Sequence, residues 1–209
     1  MAELAVRAAA IRTGVRLELL TVGWMLAEAV VAIVAGIAAG SVLLIAFGAD
    51  SIIELLSGAT LLWRLHREAG GESLAVVERT ERRATLASAV LLVLLCVYVV
   101  ASSVAGLWLG ARPGWSWPGV AVAAAALVLM PLLAWRKRVV NGVLDSPALR
   151  ADIAETASCA YLAAVTLAGL AIDAATGWWW VQYVAALLLL RWLLPETWEA
   201  IESARGTSD

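Results

Sequence analysis

The sequence predicts an all-α membrane protein with six transmembrane helices and both termini in the cytoplasm. Three observations carry this. Of the 209 residues, 63% are hydrophobic and 15% charged, whereas a typical soluble domain is about half apolar and about a quarter charged. The apolar residues gather into six runs, each near the ~20 residues that a helix needs to cross a bilayer. The basic residues sort almost entirely to one side of those runs, the side that faces the cytoplasm under the positive-inside bias. No space remains for a soluble domain of ~100 residues, so residues 1–209 read as a single transmembrane domain. A formal net charge of -2 argues against a nucleic-acid partner, which needs a basic surface. Cys96 and Cys159 both fall inside apolar runs and indicate no extracellular disulfide framework.

The runs cover residues 17–38, 41–63, 85–109, 119–135, 148–172 and 178–194. The first follows Arg7, Arg12 and Arg16 and is too long for the apolar region of a cleavable signal peptide, so it is a true span. Gly36 and Gly40 form a small-xxx-small pair at its end, and Gly58, Ala59 and Gly169 allow spans two and five to approach their neighbours. The 64–84 connection interleaves Glu68, Glu72, Glu78 and Glu81 with arginines, has Gly70 and Gly71 near its start, and predicts a solvated helical turn or two. His66, the only histidine, lies just past the internal end of span two and reads as a solvated interface residue. Pro131 is expected to kink span four. Ser146 as N-cap and Pro147 in the first turn mark the start of span five.

Of the lysines and arginines, only Arg112 falls on the external side. Trp115, Trp117 and Trp178 to Trp180 mark the external interface, and Trp63, Trp135, Trp192 and Trp198 the internal one.

Several acids lie where lipid should be: Glu18 and Glu28 in span one, Asp50 and Glu54 in span two, Asp152, Glu155 and Asp173 in span five. Each costs on the order of 2.5–3.5 kcal/mol at the helix centre even on the gentler insertion scales, so such groups face a cavity and mark a pathway. No lysine or arginine is expected at comparable depth, since Arg16, Arg64, Arg150 and Arg191 sit near the boundary and can snorkel to water. Unpaired buried carboxylates are then either protonated or bound to a cation.

Asp50 and Glu54 stand one helical turn apart on one face, which Ser57 continues; Asp152, Glu155 and Cys159 share a face of span five. If the two faces meet, Asp50, Glu54, Glu155 and Cys159 supply the four ligands of a tetrahedral divalent site. The competing reading leaves the acids protonated and hydrogen-bonded to neighbouring helices, with Cys159 a small apolar filler. Counted from Pro147, Glu155 and Cys159 lie about 12 and 18 Å along their helix, and Asp50 and Glu54 about 14 and 20 Å from Ser41. Spans two and five run in opposite senses, so acidic pairs at matching depths are what an inverted-repeat transporter with a midplane site would show.

Two segments, SVLLIAFGADSIIELLSGATLLWRL in span two and LRADIAETASCAYLAAVTLAGL in span five, followed by GWWW before span six, resemble the cation diffusion facilitator (cation efflux) superfamily. The likeness runs over about residues 16–200, in the same span order and orientation, and implies that family's transmembrane fold. In the family, two acids four apart on the second helix and a His-x-x-x-Asp pair on the fifth bind zinc or a similar ion, which is exchanged for protons within a homodimer. Carried over by position, the resemblance implies Asp50 and Glu54 on the second helix. On the fifth, Asp152 matches the aspartate that often precedes the histidine, Glu155 replaces the histidine and Cys159 the aspartate. Losing the imidazole leaves the preference among zinc, cadmium, cobalt, manganese and iron open. The family's cytoplasmic domain has no counterpart in this sequence, which implies a short, membrane-only branch.

The function expected is therefore a divalent transition-metal transporter, zinc first, exchanging metal for protons and exporting it from the cytoplasm. Its setting would be the plasma or inner membrane, among lipid, as a homodimer with no tightly bound cofactor. The alternative is a non-transporting membrane module that senses metal or pH, or scaffolds a partner. An enzyme is not expected, because no membrane-buried histidine base and no Ser/His constellation occurs in the sequence.

Overall fold

The computed structural model describes residues 2–69, 74–145 and 147–206. They form six helices: α1 (Ala2–Ala39), α2 (Val42–Ala69), α3 (Leu74–Leu109), α4 (Trp117–Leu144), α5 (Pro147–Thr176) and α6 (Trp180–Gly206). Within α1 to α5, the stretches Ala9–Ala39, Val42–Thr60, Leu86–Leu109, Trp117–Leu144 and Asp152–Thr176 are long and apolar enough to cross a membrane. This is the pattern of an all-α, integral multi-pass membrane protein.

Every apolar run predicted from sequence falls on its own helix, but the helices overrun the runs. Ala, Glu and Arg are strong helix formers, so a helix continues where its hydropathy ends. The clearest case is the 64–84 connection, most of which is helix: α2 reaches Ala69 and α3 starts at Leu74. Gly70, Gly71 and the proposed cap Ser146 lie outside the described residues, as does the side chain of His66. At the other end of the runs, Trp178 and Trp179 belong to the turn before α6 rather than to the helix.

The turns have identifiable chemistry. Gly40 adopts a left-handed conformation (φ 62°) and the Ser41 N–H donates back to the Gly36 carbonyl at 2.9 Å, the pattern of a glycine-terminated helix. Gly40 is thus a turn residue with open space around it, not half of a packing pair. The close approach of α1 and α2 rests on Gly36 and Gly48, where an added Cβ would stand 2.8 Å from Ile45 and 2.8 Å from Ile33 respectively. Ser116 caps α4 by accepting from the Gly119 N–H at 3.2 Å, with Pro118 in the first turn. α4 continues as one helix on both sides of Pro131 and ends at Asp145, which takes the left-handed conformation.

α1, α2, α4 and α5 close a four-helix bundle, and α3 and α6 pair alongside it, α3 against α2 and α6 against α5 and α2. Phe47, Leu43, Leu44, Met130, Leu162 and Leu189 are among the largest apolar side chains wholly enclosed. Outward, Val30, Val34 and Ile37 of α1 and Leu94, Val97 and Val104 of α3 are exposed, the surface that lipid would cover. Trp117, Trp178 and Trp180 are exposed toward one end of the bundle, Trp135 and Trp198 toward the other.

Successive helices reverse direction, so both chain ends share one end of the bundle, called here the terminal end; the α1–α2, α3–α4 and α5–α6 turns form the hairpin end. The hairpin end is laced shut by polar contacts. Ser41 Oγ donates to Gln182 Oε1 at 2.7 Å, Gln182 Nε2 to Asp173 Oδ2 at 2.5 Å, and the Tyr183 hydroxyl to the Ala111 carbonyl at 3.0 Å. Asp173 therefore serves this network and stands apart from the other acids of α5.

Candidate functional site

The helical spacing of Asp50 and Glu54 turns both into the bundle, where they are 2% and 3% exposed. Among the described residues, Asp50 Oδ1 and both carboxylate oxygens of Glu54 are buried with no hydrogen-bond partner. An unsatisfied buried polar group costs about 1–3 kcal/mol, and more when charged, so these atoms are expensive for the fold alone.

Three other helices bring acids to the same place. From α1, Glu28 is wholly buried; its Oε1 accepts from Ser51 Oγ at 2.7 Å and from the Cys159 thiol at 3.4 Å. Its Oε2 accepts from the Trp24 indole N–H at 2.6 Å. From α5, half-buried Glu155 accepts from Ser57 Oγ at 3.0 Å. From α6, half-buried Glu196 has one carboxylate oxygen, Oε2, enclosed and unpartnered. Asp50 and Glu54 lie within electrostatic reach of Glu28, Glu155 and Glu196. The two faces anticipated from sequence do meet, directly through Ser57 and Glu155 and indirectly through Ser51, Glu28 and Cys159.

Among the described residues, no three His, Cys, Asp or Glu side chains converge closely enough to hold one metal ion in their present rotamers. The arrangement is a neighbourhood of potential donors, not a closed coordination sphere. It also has a direction. Glu155 and Glu196 are half-buried toward the terminal end, while Asp50, Glu54 and Glu28 are enclosed. Beyond them, toward the hairpin end, come the fully buried Phe47, Leu44 and Leu43 of α2 and Leu162 of α5. Counted from Asp152, where the apolar stretch of α5 begins, Glu155 is only about 5 Å in and Cys159 about 10 Å. Glu155 is thus shallower than its distance from Pro147 suggests.

A second charged cluster corrects the expectation that no basic residue reaches this depth. Lys137, 1% exposed, places Nζ 2.9 Å from Glu18 Oε2 and 2.8 Å from each oxygen of Asp152. It also donates to Thr156 Oγ1 at 3.3 Å. Asp152, a candidate ligand by position, is therefore held in an ion pair about one turn nearer the terminal end than Glu155 and about two turns nearer than Cys159. Lys137 escapes a sequence reading because it sits within Arg136-Lys137-Arg138, an apparent loop signal. The signal that could have found it is phase: Met130, Leu133, Ala134, Lys137 and Val140 recur every three or four residues and are all buried. Glu196 escapes because it follows Pro195, past the apolar run, on a helix that continues through that proline.

No protein-family model matches the chain, and no curated protein matches its sequence.

Proposed function

We propose that this protein carries a divalent transition metal, zinc first, across the membrane in exchange for protons, as the resemblance to the cation diffusion facilitators implies. The observation that carries the reading is the pair of buried, unpartnered carboxylates, Asp50 and Glu54, enclosed at 2% and 3% exposure within a bundle of apolar helices. Carboxylates without compensation at such depth mark an ion or proton pathway. Glu28, Glu155, Glu196 and Cys159 around them supply oxygen and sulfur donors that suit zinc and its neighbours.

In this mechanism a cation enters from the terminal end past Glu155 and Glu196, which share electrostatic influence. It then passes to Asp50 and Glu54. Binding requires deprotonated ligands and so releases protons, and protonation from the far side drives the metal off. Release needs the hairpin end to open, at the Ser41, Gln182 and Asp173 contacts. The proposal has α6 as a sixth crossing: its 27 residues extend about 40 Å, and Arg191 lies exposed near the end of the apolar run, where its stem can snorkel. The positive-inside bias then places the terminal end, and both termini, in the cytoplasm of a plasma or inner membrane, and the direction of transport is export. Homodimer assembly belongs to the same reading.

The test is zinc flux in proteoliposomes under an imposed pH gradient, with proton counterflow read by a trapped dye. Gradient-dependent zinc movement, lost in Asp50→Asn, is expected. Zinc binding without flux would select the sensing or scaffolding alternative instead.

A further inference from the structure

We propose that Glu28 of α1, rather than Asp152 of α5, joins Asp50, Glu54 and Cys159 in the cation site. The inference rests on the proposed transport function and narrows the donors named there to one set, drawn from α1, α2 and α5.

The case against Asp152 is its partner. Both carboxylate oxygens lie 2.8 Å from Lys137 Nζ, and Glu18 sits on the same ammonium. A divalent ion there would have to displace a tethered cation in a water-poor setting, leaving Lys137 buried with less compensation.

Geometry favours Glu28. Its Oε1 touches Ser51, the residue next to Asp50, at 2.7 Å and the Cys159 sulfur at 3.4 Å, so one oxygen already bridges α2 and α5. The enclosed oxygens of Asp50 and Glu54 have no partner among the described residues and are free to turn toward an ion between the helices. They also lie within electrostatic reach of Cys159 together with Glu28.

The hydrogen bonds around Glu28 divide its two oxygens by role. Trp24 fixes Oε2 through its indole N–H at 2.6 Å, which orients the carboxylate. The donors on Oε1 can leave. Ser51 Oγ has a second acceptor in its own helix, the Phe47 carbonyl at 3.1 Å. Cys159, on becoming a ligand, gives its proton to water and its sulfur lone pair to the metal. An ion entering between Asp50, Glu54 and Cys159 therefore meets an oriented oxygen whose present partners are dispensable.

The experiment uses the full chain in detergent, with Cys96→Ser so that Cys159 is the only thiol, and Cd²⁺ alone as probe, followed by the ultraviolet charge-transfer absorption of a cadmium–thiolate bond. Glu28→Gln keeps size and the Trp24 contact but removes the charge, and is expected to weaken Cd²⁺ binding at least about tenfold. Asp152→Asn is expected to change it less than about twofold. Trp24→Phe leaves every carboxylate in place and releases only Oε2; a several-fold weakening is expected, which keeps the test valid if Glu28→Gln does not fold. Cadmium–thiolate absorption in the parent with unchanged affinity in Glu28→Gln, or in Trp24→Phe where Glu28→Gln does not fold, overturns the role of Glu28 and leaves the transport proposal standing. No Cd²⁺ binding by the parent overturns both.

Discussion

Asp50 and Glu54 are costly to bury and, among the described residues, satisfy nothing in return, so their substitution should spare the fold and remove the function. Asp50→Asn and Glu54→Gln are each expected to abolish zinc flux while leaving the detergent-solubilised protein folded and monodisperse. Full flux in both variants would refute the site. The neighbouring Lys137 is the opposite case. It sits in a buried ion cluster with Glu18 and Asp152, and removing one partner of such a cluster strands the others. Lys137→Met should destabilise the protein by about 3–5 kcal/mol, and adding Glu18→Gln and Asp152→Asn should restore most of that loss. Thermal unfolding in a Cys96→Ser background, monitored by thiol exposure of Cys159, reads both variants; a Lys137→Met protein as stable as its parent would mean that the ion pair contributes nothing. Metal preference also belongs to single residues. Cys159→Asp should shift selectivity from cadmium toward manganese, because a thiolate favours softer ions and a carboxylate harder ones. Glu155→His should raise zinc affinity and move its pH dependence toward the histidine range. Competition assays over a pH series check both, and an unchanged ranking of metals would show that Cys159 is packing only.

Between helices, the decisive positions are those where no side chain fits. A Cβ at Gly169 would stand 2.7 Å from Ala185 and 2.7 Å from Leu43, so Gly169→Val should force α5 away from α6 and α2 at a cost of about 1–3 kcal/mol. Gly142 of α4 has nothing within 4 Å, and Gly142→Ala should stabilise by about 0.5–1 kcal/mol through helix propensity alone. Opposite signs for these two glycines, measured by thermal unfolding, are the expected outcome; equal effects would argue against the α5–α6 contact. The same scale explains why the overrunning helices matter. Only because α4 persists past its apolar run does Lys137 keep the phase that turns it inward, and only because α6 persists through Pro195 does Glu196 reach the acidic cluster.

For the molecule as a whole, a polar interior runs among the described residues from half-buried Glu155 and Glu196 to enclosed Asp50, Glu54 and Glu28, and the contacts of Ser41, Gln182 and Asp173 close the hairpin end. α3 is the helix with least reason to remain alone. It carries the outward-facing Val90, Leu94, Val97 and Val104 and, among its described side chains, contributes no acid to the interior. We expect this face to meet a second copy, so that the protein purifies as a dimer in mild detergent, with cysteines introduced at Val97 crosslinking between copies. A monomer in mild detergent and in native bilayers alike would refute it.

What could be read from the sequence alone is what depends on neighbours along the chain. Six apolar runs became six helices, and Asp50 with Glu54, like Glu155 with Cys159, shares a helical face because a fixed 3.6-residue period needs no tertiary information. What only the tertiary structure decided is which acid faces which group. Helices apolar on nearly all sides carry little amphipathic marking of the side that turns inward, so the rotation of each about its axis is set by packing against its neighbours, through close contacts such as Gly36, Gly48 and Gly169. That rotation pairs Asp152 and Glu18 with Lys137 and sets Glu28 between Ser51 and Cys159. Relations between helices distant in sequence are invisible to periodicity, because they exist only once the bundle has closed.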